Sequence, residues 1–179
     1  MRRAALGLLG AALTGCSALP NLDDVVPPPA PDPEAVAAEA DAVARALSGA
    51  VGVCLDADEA GGDLSAYVAA AGDPRSLGVR PAPAPLRGWV VRSGRANLYE
   101  EQGRCRVEPV GAVPPGTVDR LRAALAARPL TETEPPRAVE GTFSRWYTAD
   151  GAVRVVLIAP EKGSEDGLGE IVLIVTDGL

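Results

Sequence analysis

The chain has 179 residues and a net charge of −7 at pH 7, with 17 Lys and Arg against 24 Asp and Glu. An acidic chain repels phosphate backbones, so nucleic acid is not expected as a partner. Histidine is absent, which excludes catalytic sites built on an imidazole base and zinc sites with histidine ligands. The length suits one modest domain with a tether.

The first sixteen residues have the layout of a bacterial leader. Arg2 and Arg3 give a positive start, residues 4–14 are apolar, and the small Gly15 precedes Cys16. The apolar run is about half as long as a bilayer span, which takes roughly 20 residues. The alternative is an N-terminal core helix with an incidental cysteine. The three glycines of the segment disfavour that helix, because each costs up to about 1 kcal/mol.

The stretch Leu13-Thr14-Gly15-Cys16 resembles the lipobox of bacterial lipoproteins. The resemblance implies that residues 1–15 are a signal peptide, that cleavage falls between Gly15 and Cys16, and that Cys16 carries a diacylglycerol, often with a third acyl chain. Two or three acyl chains hold a protein stably on a membrane, where one alone is marginal. Ser17 follows the cysteine, which implies the outer membrane in families that obey that sorting rule. We therefore expect a cell-envelope protein, lipid-anchored to a membrane and facing the periplasm.

A tether and one long helix are predicted after the lipidated cysteine. Residues 17–33 hold six prolines, which favour an extended spacer of roughly 50 Å. We expect residues 16–33 to be the tether and residues 34–179 a single periplasmic domain. Apolar residues then recur at spacings of three and four as far as Cys54, which predicts a helix from Glu34 to Leu55. The alternative ends this helix at Gly49 and makes residues 50–55 a buried strand.

An acidic segment, residues 56–63, is predicted as a solvated loop. Asp56, Asp58 and Gly61 match three positions of a calcium-binding loop. Ala60 and Tyr67 fail at two others, one of which normally holds a bidentate Glu. No metal site is expected, although cation binding by this loop is left open. A short helix is predicted over residues 64–71, capped by Asp63, and a Pro-rich loop over residues 73–87.

The remaining chain predicts two three-stranded meanders separated by a helix. Alternation of side chains and turn residues give strands at 88–92, 96–101 and 104–110, then at 140–148, 152–159 and 170–176. Thr117 is predicted to cap the intervening helix, and Asp150-Gly151 to form a hairpin turn. The apolar last two strands are expected to be central and shielded. The predicted fold class is α+β, with helices packed on an antiparallel sheet.

Cys54 and Cys105 remain once Cys16 is assigned to the anchor. An even pair in an oxidising compartment predicts a disulfide. Both residues also lie on the apolar faces of their predicted elements. The alternative is a pair of free thiols packed as small hydrophobes.

Three functions are compatible with these residues. The helix ending at Cys54, the stretch Gly88-Trp89-Val90 and the stretch Arg104-Cys105-Arg106-Val107 resemble small, uncharacterised envelope lipoproteins of high-GC Gram-negative bacteria. That resemblance implies no activity. We expect a non-catalytic lipoprotein, without a cofactor, that binds or scaffolds another envelope protein or peptidoglycan. The alternatives are a glycan hydrolase with two carboxylates beside Trp89 or Trp146 and a small-ligand binder.

Overall fold

The longest element is helix α1, Pro33–Glu59, in a computed structural model that describes residues 30–136, 142–160 and 171–176. The Asp32 carboxylate caps it by accepting a hydrogen bond from Glu34 N at 2.9 Å. The helix continues four residues beyond the predicted end and takes in Asp56 and Asp58. The predicted end of the helix at Leu55 and the alternative strand over residues 50–55 are therefore wrong. Tertiary contacts explain the extension, because Ala57 is buried in the core and Asp58 pairs with Arg154.

The shorter helices agree with the sequence except at their boundaries. Helix α2 spans Leu64–Ala70, and the carboxylate of the predicted Asp63 cap accepts a hydrogen bond from Ala66 N at 2.8 Å. Helix α3 spans Thr117–Ala126 and has Gly116 at its N-cap. Thr117 is thus the first helical residue rather than the cap, and its hydroxyl donates to the Pro114 carbonyl. The segment predicted as a Pro-rich loop contains a short 3-10 helix, Pro74–Leu77.

One antiparallel sheet of eight strands replaces the two predicted three-stranded meanders. Its strand order is β1-β2-β3-β4-β8-β7-β6-β5, so two four-stranded meanders meet where β4 pairs with β8. The two strands that the sequence missed, β1 and β5, are the edges and are three residues long. The strands are β1 Val79–Pro81, β2 Trp89–Val91, β3 Ala96–Glu101, β4 Arg104–Pro109, β5 Thr131–Thr133, β6 Thr142–Ala149, β7 Ala152–Pro160 and β8 Val172–Val175.

The described helices pack on one face of this sheet. Leu98, Val107, Leu173 and Leu157 face each other across β3, β4, β8 and β7, and all four are fully buried in the core beneath α1. The predicted central position of the last strand is correct, because β8 lies between β4 and β7. Shielding of both faces is only partial. Val156, Ile158 and Ile174 point away from the helices and remain partly exposed.

Three further points concern a turn, membrane spans and the leader. The Asp150-Gly151 turn joins β6 to β7, with positive φ values of 52° and 82° at the two residues, as a type I′ turn requires. No helix in the described part of the chain is long and apolar enough to cross a membrane. The predicted cleavage site at Gly15 and lipid attachment at Cys16 lie outside the described residues.

Candidate functional site

A row of side chains crosses five strands on the face opposite the helices, which we call the open face. Tyr99 pairs with Arg106, Arg106 with Ile174, Ile174 with Val156, and Val156 with Trp146. Residues paired directly across strands share a face of the sheet. The row therefore changes from charged at β4 to apolar at β8, β7 and β6.

The apolar end of this row forms a groove of about 520 Å³. Its apolar lining comes from Trp146, Val156 and Ile158, and Ser144 contributes a hydroxyl group. Pro135 and the residues beside it form another wall. No charged side chain is among the described residues that line the groove. Its volume falls in the range of about 300–1,000 Å³ typical of ligand sites, and its lining favours an uncharged, largely apolar occupant.

The charged end of the row is an ion-pair network centred on Arg106. Its guanidinium donates to Glu101 at 2.6 Å and to Glu108 at 2.8 Å. The Tyr99 hydroxyl also donates to Glu108, at 2.8 Å. Burial, together with the Glu108 carboxylate, raises the pKa of Tyr99 to about 12. Both carboxylates are thus held as partners of a cation and are not arranged as an acid–base pair.

A second network ties α3 to β5 and β6 on the helical face. Glu132 accepts from Arg122 at 2.6 Å and from the Tyr147 hydroxyl at 3.2 Å. The Arg122 hydrogen bond lowers the pKa of the Glu132 carboxyl, and burial raises the pKa of Tyr147. The guanidiniums of Arg122 and Arg145 lie 5.4 and 4.5 Å from the Phe143 ring centre. Arg145 also pairs with Glu132 at 3.3 Å and with Glu134 at 3.6 Å. Two carboxylates therefore balance the two guanidiniums, and the cluster stabilises the packing of α3.

Cys54 of α1 and Cys105 of β4 form the predicted disulfide, with their Cα atoms 5.7 Å apart. It joins two elements that already pack together, at the end of the sheet where α1 finishes. Asp58 lies one turn further along α1 and bonds Arg154. The calcium-loop pattern over residues 56–63 is therefore broken, since Asp56 and Asp58 belong to a helix. Across the described residues, no cluster of three potential metal ligands occurs.

The two tryptophans have different places in the fold. Trp89 pairs with Leu98, so it faces the helices and packs against the core. Trp146 faces the groove. The structure thus places the two residues that the sequence offered as candidates for a sugar platform on opposite faces of the sheet. Among the described residues that line the groove beside Trp146, none is a carboxylate. The alternation from Thr142 to Ala149 contains a signal for the open face that sequence reasoning did not use: Ser144 and Trp146 fall on one side, Phe143 and Tyr147 on the other.

Similarity to known proteins adds no family to this geometry. No family model matches the chain, and no curated protein or solved structure matches it either.

Proposed function

We propose that this chain is a lipid-anchored, non-catalytic protein of the cell envelope that binds another envelope component through the Trp146 groove. The asymmetry of the sheet carries the proposal. One face is covered by helices and holds a fully buried core, whereas the other presents partly exposed Trp146, Val156 and Ile158 around an open groove. Apolar surface of this kind on an otherwise charged protein is typical of binding sites.

The ionic partners on the open face argue against the hydrolase alternative. Glycan hydrolysis needs one protonated and one ionised carboxyl group flanking the scissile bond. On the charged end of the open face, Glu101 and Glu108 both pair with Arg106. Neither lines the groove beside Trp146.

A small-ligand site remains the second candidate because the groove volume of about 520 Å³ is sufficient. Such sites bury 70–90% or more of a ligand's surface, by the usual rough figures. The described lining of this groove comes from one face of β6 and β7 and from two prolines. The open geometry favours a partner with its own continuous surface.

Lipidation is tested by changing Cys16 to Ser and fractionating the cells. The variant is expected to leave the membrane fraction and to lose the mobility shift produced by acylation. A variant that still sediments with membranes, at unchanged mobility, contradicts the anchoring proposal. The motif Leu13-Thr14-Gly15-Cys16 supports this part, independently of the groove.

Binding is tested by placing a photoreactive amino acid at Ser144 in the lipidated protein in its own membranes. A discrete crosslinked product is expected from this position and not from Ala123, an exposed residue of α3 on the helical side. Adding Trp146→Ala should remove the product while thermal unfolding of the variant remains cooperative. Equal crosslinking at the two positions, or a product that survives Trp146→Ala, contradicts the assignment.

A further inference from the structure

Three arginines beside the edge strand β1 have no acidic partner. Arg75, Arg80 and Arg92 are exposed, and none of them belongs to an ion pair within the part of the chain that the structure describes. Elsewhere, carboxylates pair with Arg87, Arg95, Arg106, Arg120, Arg122, Arg145 and Arg154. We call the three residues the arginine patch. Such a cluster on a chain with a net charge of −7 indicates a surface that attracts anions.

Strand pairing brings the patch together at one corner of the domain. Arg80 pairs with Val90 across β1 and β2, and the Arg92 amide continues that ladder by donating to the Gly78 carbonyl at 2.8 Å. Because alternate residues of a strand share a face, Arg80 and Arg92 are diagonal neighbours on one face of the sheet. The Arg92 guanidinium also donates to the Arg75 carbonyl at 3.4 Å.

The patch lies on the open face, at a distance from the ion-pair network of that face. Val90 pairs with Asn97 and Asn97 with Glu108, so Glu108 is three strands away from Arg80. At the usual strand spacing this is about 14 Å, which exceeds the Debye length of about 8 Å at physiological ionic strength. Glu108 is in any case the ionic partner of Arg106. It therefore does little to neutralise the patch.

The acidic residues closer to the patch leave it positive. Asp73 caps the 3-10 helix, where its carboxylate accepts from Arg75 N at 3.0 Å. One carboxylate thus faces three guanidiniums locally. Asp32 and Glu34 are exposed at the start of α1, which packs on the opposite face of the sheet. This end of the domain is therefore positive on its open face and negative on its helical face.

The chain enters the domain at the same end of the sheet. Glu39 of α1 pairs at 2.8 Å with Arg95, which directly precedes β3. Further along α1, Cys54 bonds Cys105 beside the far end of β3. The helix therefore begins at the end that carries the patch, about 9 Å before Glu39. The predicted tether of residues 16–33, with a reach of roughly 50 Å, joins the domain there.

We propose that the arginine patch docks the domain on the anionic phospholipid surface of the membrane in which the protein is anchored. This inference goes beyond the proposed binding at the groove and rests on the proposed lipid anchor. Guanidiniums suit this partner because they bond two phosphate oxygens at once. Each basic residue near an anionic bilayer strengthens binding about fivefold, and three together about a hundredfold.

The anchor makes so small a patch sufficient. Binding of about a hundredfold is weak for a freely diffusing protein, but a tether makes the second contact intramolecular and raises the effective concentration of lipid. Peptidoglycan peptides also carry carboxylates that could bind arginine. The attachment of the tether at the corner that carries the patch favours the membrane, because this corner is the part of the domain that the tether holds closest to the lipids.

Photocrosslinking to lipid tests the docking in the lipidated protein. The protein is reconstituted into vesicles of phosphatidylcholine, alone or mixed with phosphatidylglycerol, with a photoreactive amino acid at Ser93, an exposed turn residue beside Arg92. Lipid-linked protein should be about fivefold or more in excess on the anionic vesicles. The excess should disappear in about 1 M NaCl, where the Debye length is about 3 Å. Equal product on the two kinds of vesicle overturns the proposal.

Variants with matched charge identify the residues responsible. Arg92→Gln should reduce the excess several-fold, and adding Arg75→Gln and Arg80→Gln should abolish it. Arg104→Gln is the control, because Arg104 is also exposed and without an ion pair among the described residues, but begins β4 at the opposite end of the sheet. Cooperative thermal unfolding shows that each variant is folded. A triple variant that keeps the excess, or an Arg104→Gln variant that loses it, contradicts docking through the patch.

Competing partners are outcomes of the same assay. Inorganic phosphate that suppresses the Ser93 product more than NaCl of equal ionic strength would identify a small-anion site. Cosedimentation with peptidoglycan that depends on the patch, without lipid-linked product, would identify peptidoglycan as the partner. Either result replaces the docking proposal. Wild-type protein that leaves the vesicles contradicts the anchor, whereas equal Ser93 products in protein that remains on them contradict docking alone.

Discussion

Arg154 of β7 donates a hydrogen bond to Asp58 in the last turn of α1, 96 residues earlier in the chain. The contact depends on a β-bulge, because Tyr147 aligns with Val155 and Thr148 with Val153, which leaves Arg154 as the extra residue. A bulge redirects a side chain relative to the regular alternation. At this bulge the side chain of Arg154 reaches the helical side of the sheet, where it contacts Asp58.

Loss of the Asp58 carboxylate should destabilise the protein. The Asp58 and Arg154 side chains are only 16% and 23% exposed, and Arg154 Nε is buried with no hydrogen-bond partner in the described structure. Asp58→Asn should therefore cost about 2 kcal/mol of unfolding free energy, because a largely buried guanidinium loses its counter-charge. Urea unfolding measures the change. Asp56→Asn, on the exposed side of the same helix turn, should change stability by less than about 0.5 kcal/mol.

A double-mutant cycle tests whether the loss comes from the pair. Asp58→Asn combined with Arg154→Met should recover most of the stability lost in Asp58→Asn, since no buried charge then lacks a partner. Strictly additive losses in the double variant would mean that the two residues act independently.

The disulfide between Cys54 and Cys105 should supply a large part of the folding free energy. It closes a loop with a sequence separation of 51 residues, which corresponds to about 4 kcal/mol in the chain-entropy model. Replacing both cysteines by Ser, or adding reductant, should lower the melting temperature strongly. Thiol titration of the unfolded, non-reduced protein should find no reactive thiol at either position. Two reactive thiols before reduction, or an unchanged melting temperature afterwards, would contradict this expectation.

Local sequence patterns predicted the elements that depend on local rules. The Asp63 cap, the strand Ala96–Glu101 and the Asp150-Gly151 turn occur where propensity and turn chemistry place them. Strands β1 and β5 were missed because three residues are too few to show alternation. The last turn of α1 was missed because Asp56 and Asp58 resemble a polar loop until the partner of Asp58 is known.

The candidate site was predictable only in part, for a similar physical reason. Trp146 was among the predicted aromatic candidates, and its side chain does line the groove. The sequence could not distinguish it from Trp89, because the face of each strand that the helices cover depends on the register of the whole sheet. The end of β5 at Thr133 likewise depends on tertiary pairing with β6 rather than on a local pattern.

Gly88 and Gly103 form a matched pair for separating backbone strain from crowding. Both residues have a φ of 72°. A Cβ added at Gly88 would lie 2.7 Å from the Tyr99 Cβ and closer still to the Leu98 carbonyl oxygen. A Cβ added at Gly103 would meet nothing within 4 Å. Gly103→Ala should cost about 1–2 kcal/mol from the left-handed conformation alone. Gly88→Ala should cost clearly more, because the backbone of β3 cannot move away without disturbing its pairing. Equal unfolding free energies for the two variants would show that the contact at Gly88 relaxes freely.

Glu132 should make the stability of the protein depend on acid pH. Hydrogen bonding to Arg122 holds the pKa of this carboxyl below its usual value. A carboxyl whose pKa is lowered by folding contributes stability above its unfolded pKa and loses it as pH falls through the folded value. Glu132→Gln should therefore cost about 1–2 kcal/mol at pH 7, and the difference from wild type should shrink below about pH 4.5.

Urea unfolding at pH 7, 5, 4 and 3 measures this convergence, and Glu39→Gln is the matched control. Glu39 also pairs with an arginine, Arg95, and its pKa is lowered by that hydrogen bond. The Glu39 and Arg95 side chains are 46% and 37% exposed, against 25% and 35% for Glu132 and Arg122, so water and salt screen the Glu39 pair more strongly. Glu39→Gln should thus have the smaller effect at pH 7 and the greater sensitivity to added salt. A Glu132→Gln deficit that stays constant from pH 7 to pH 3 would mean that the Glu132 charge is not what stabilises the contact between α3 and β5.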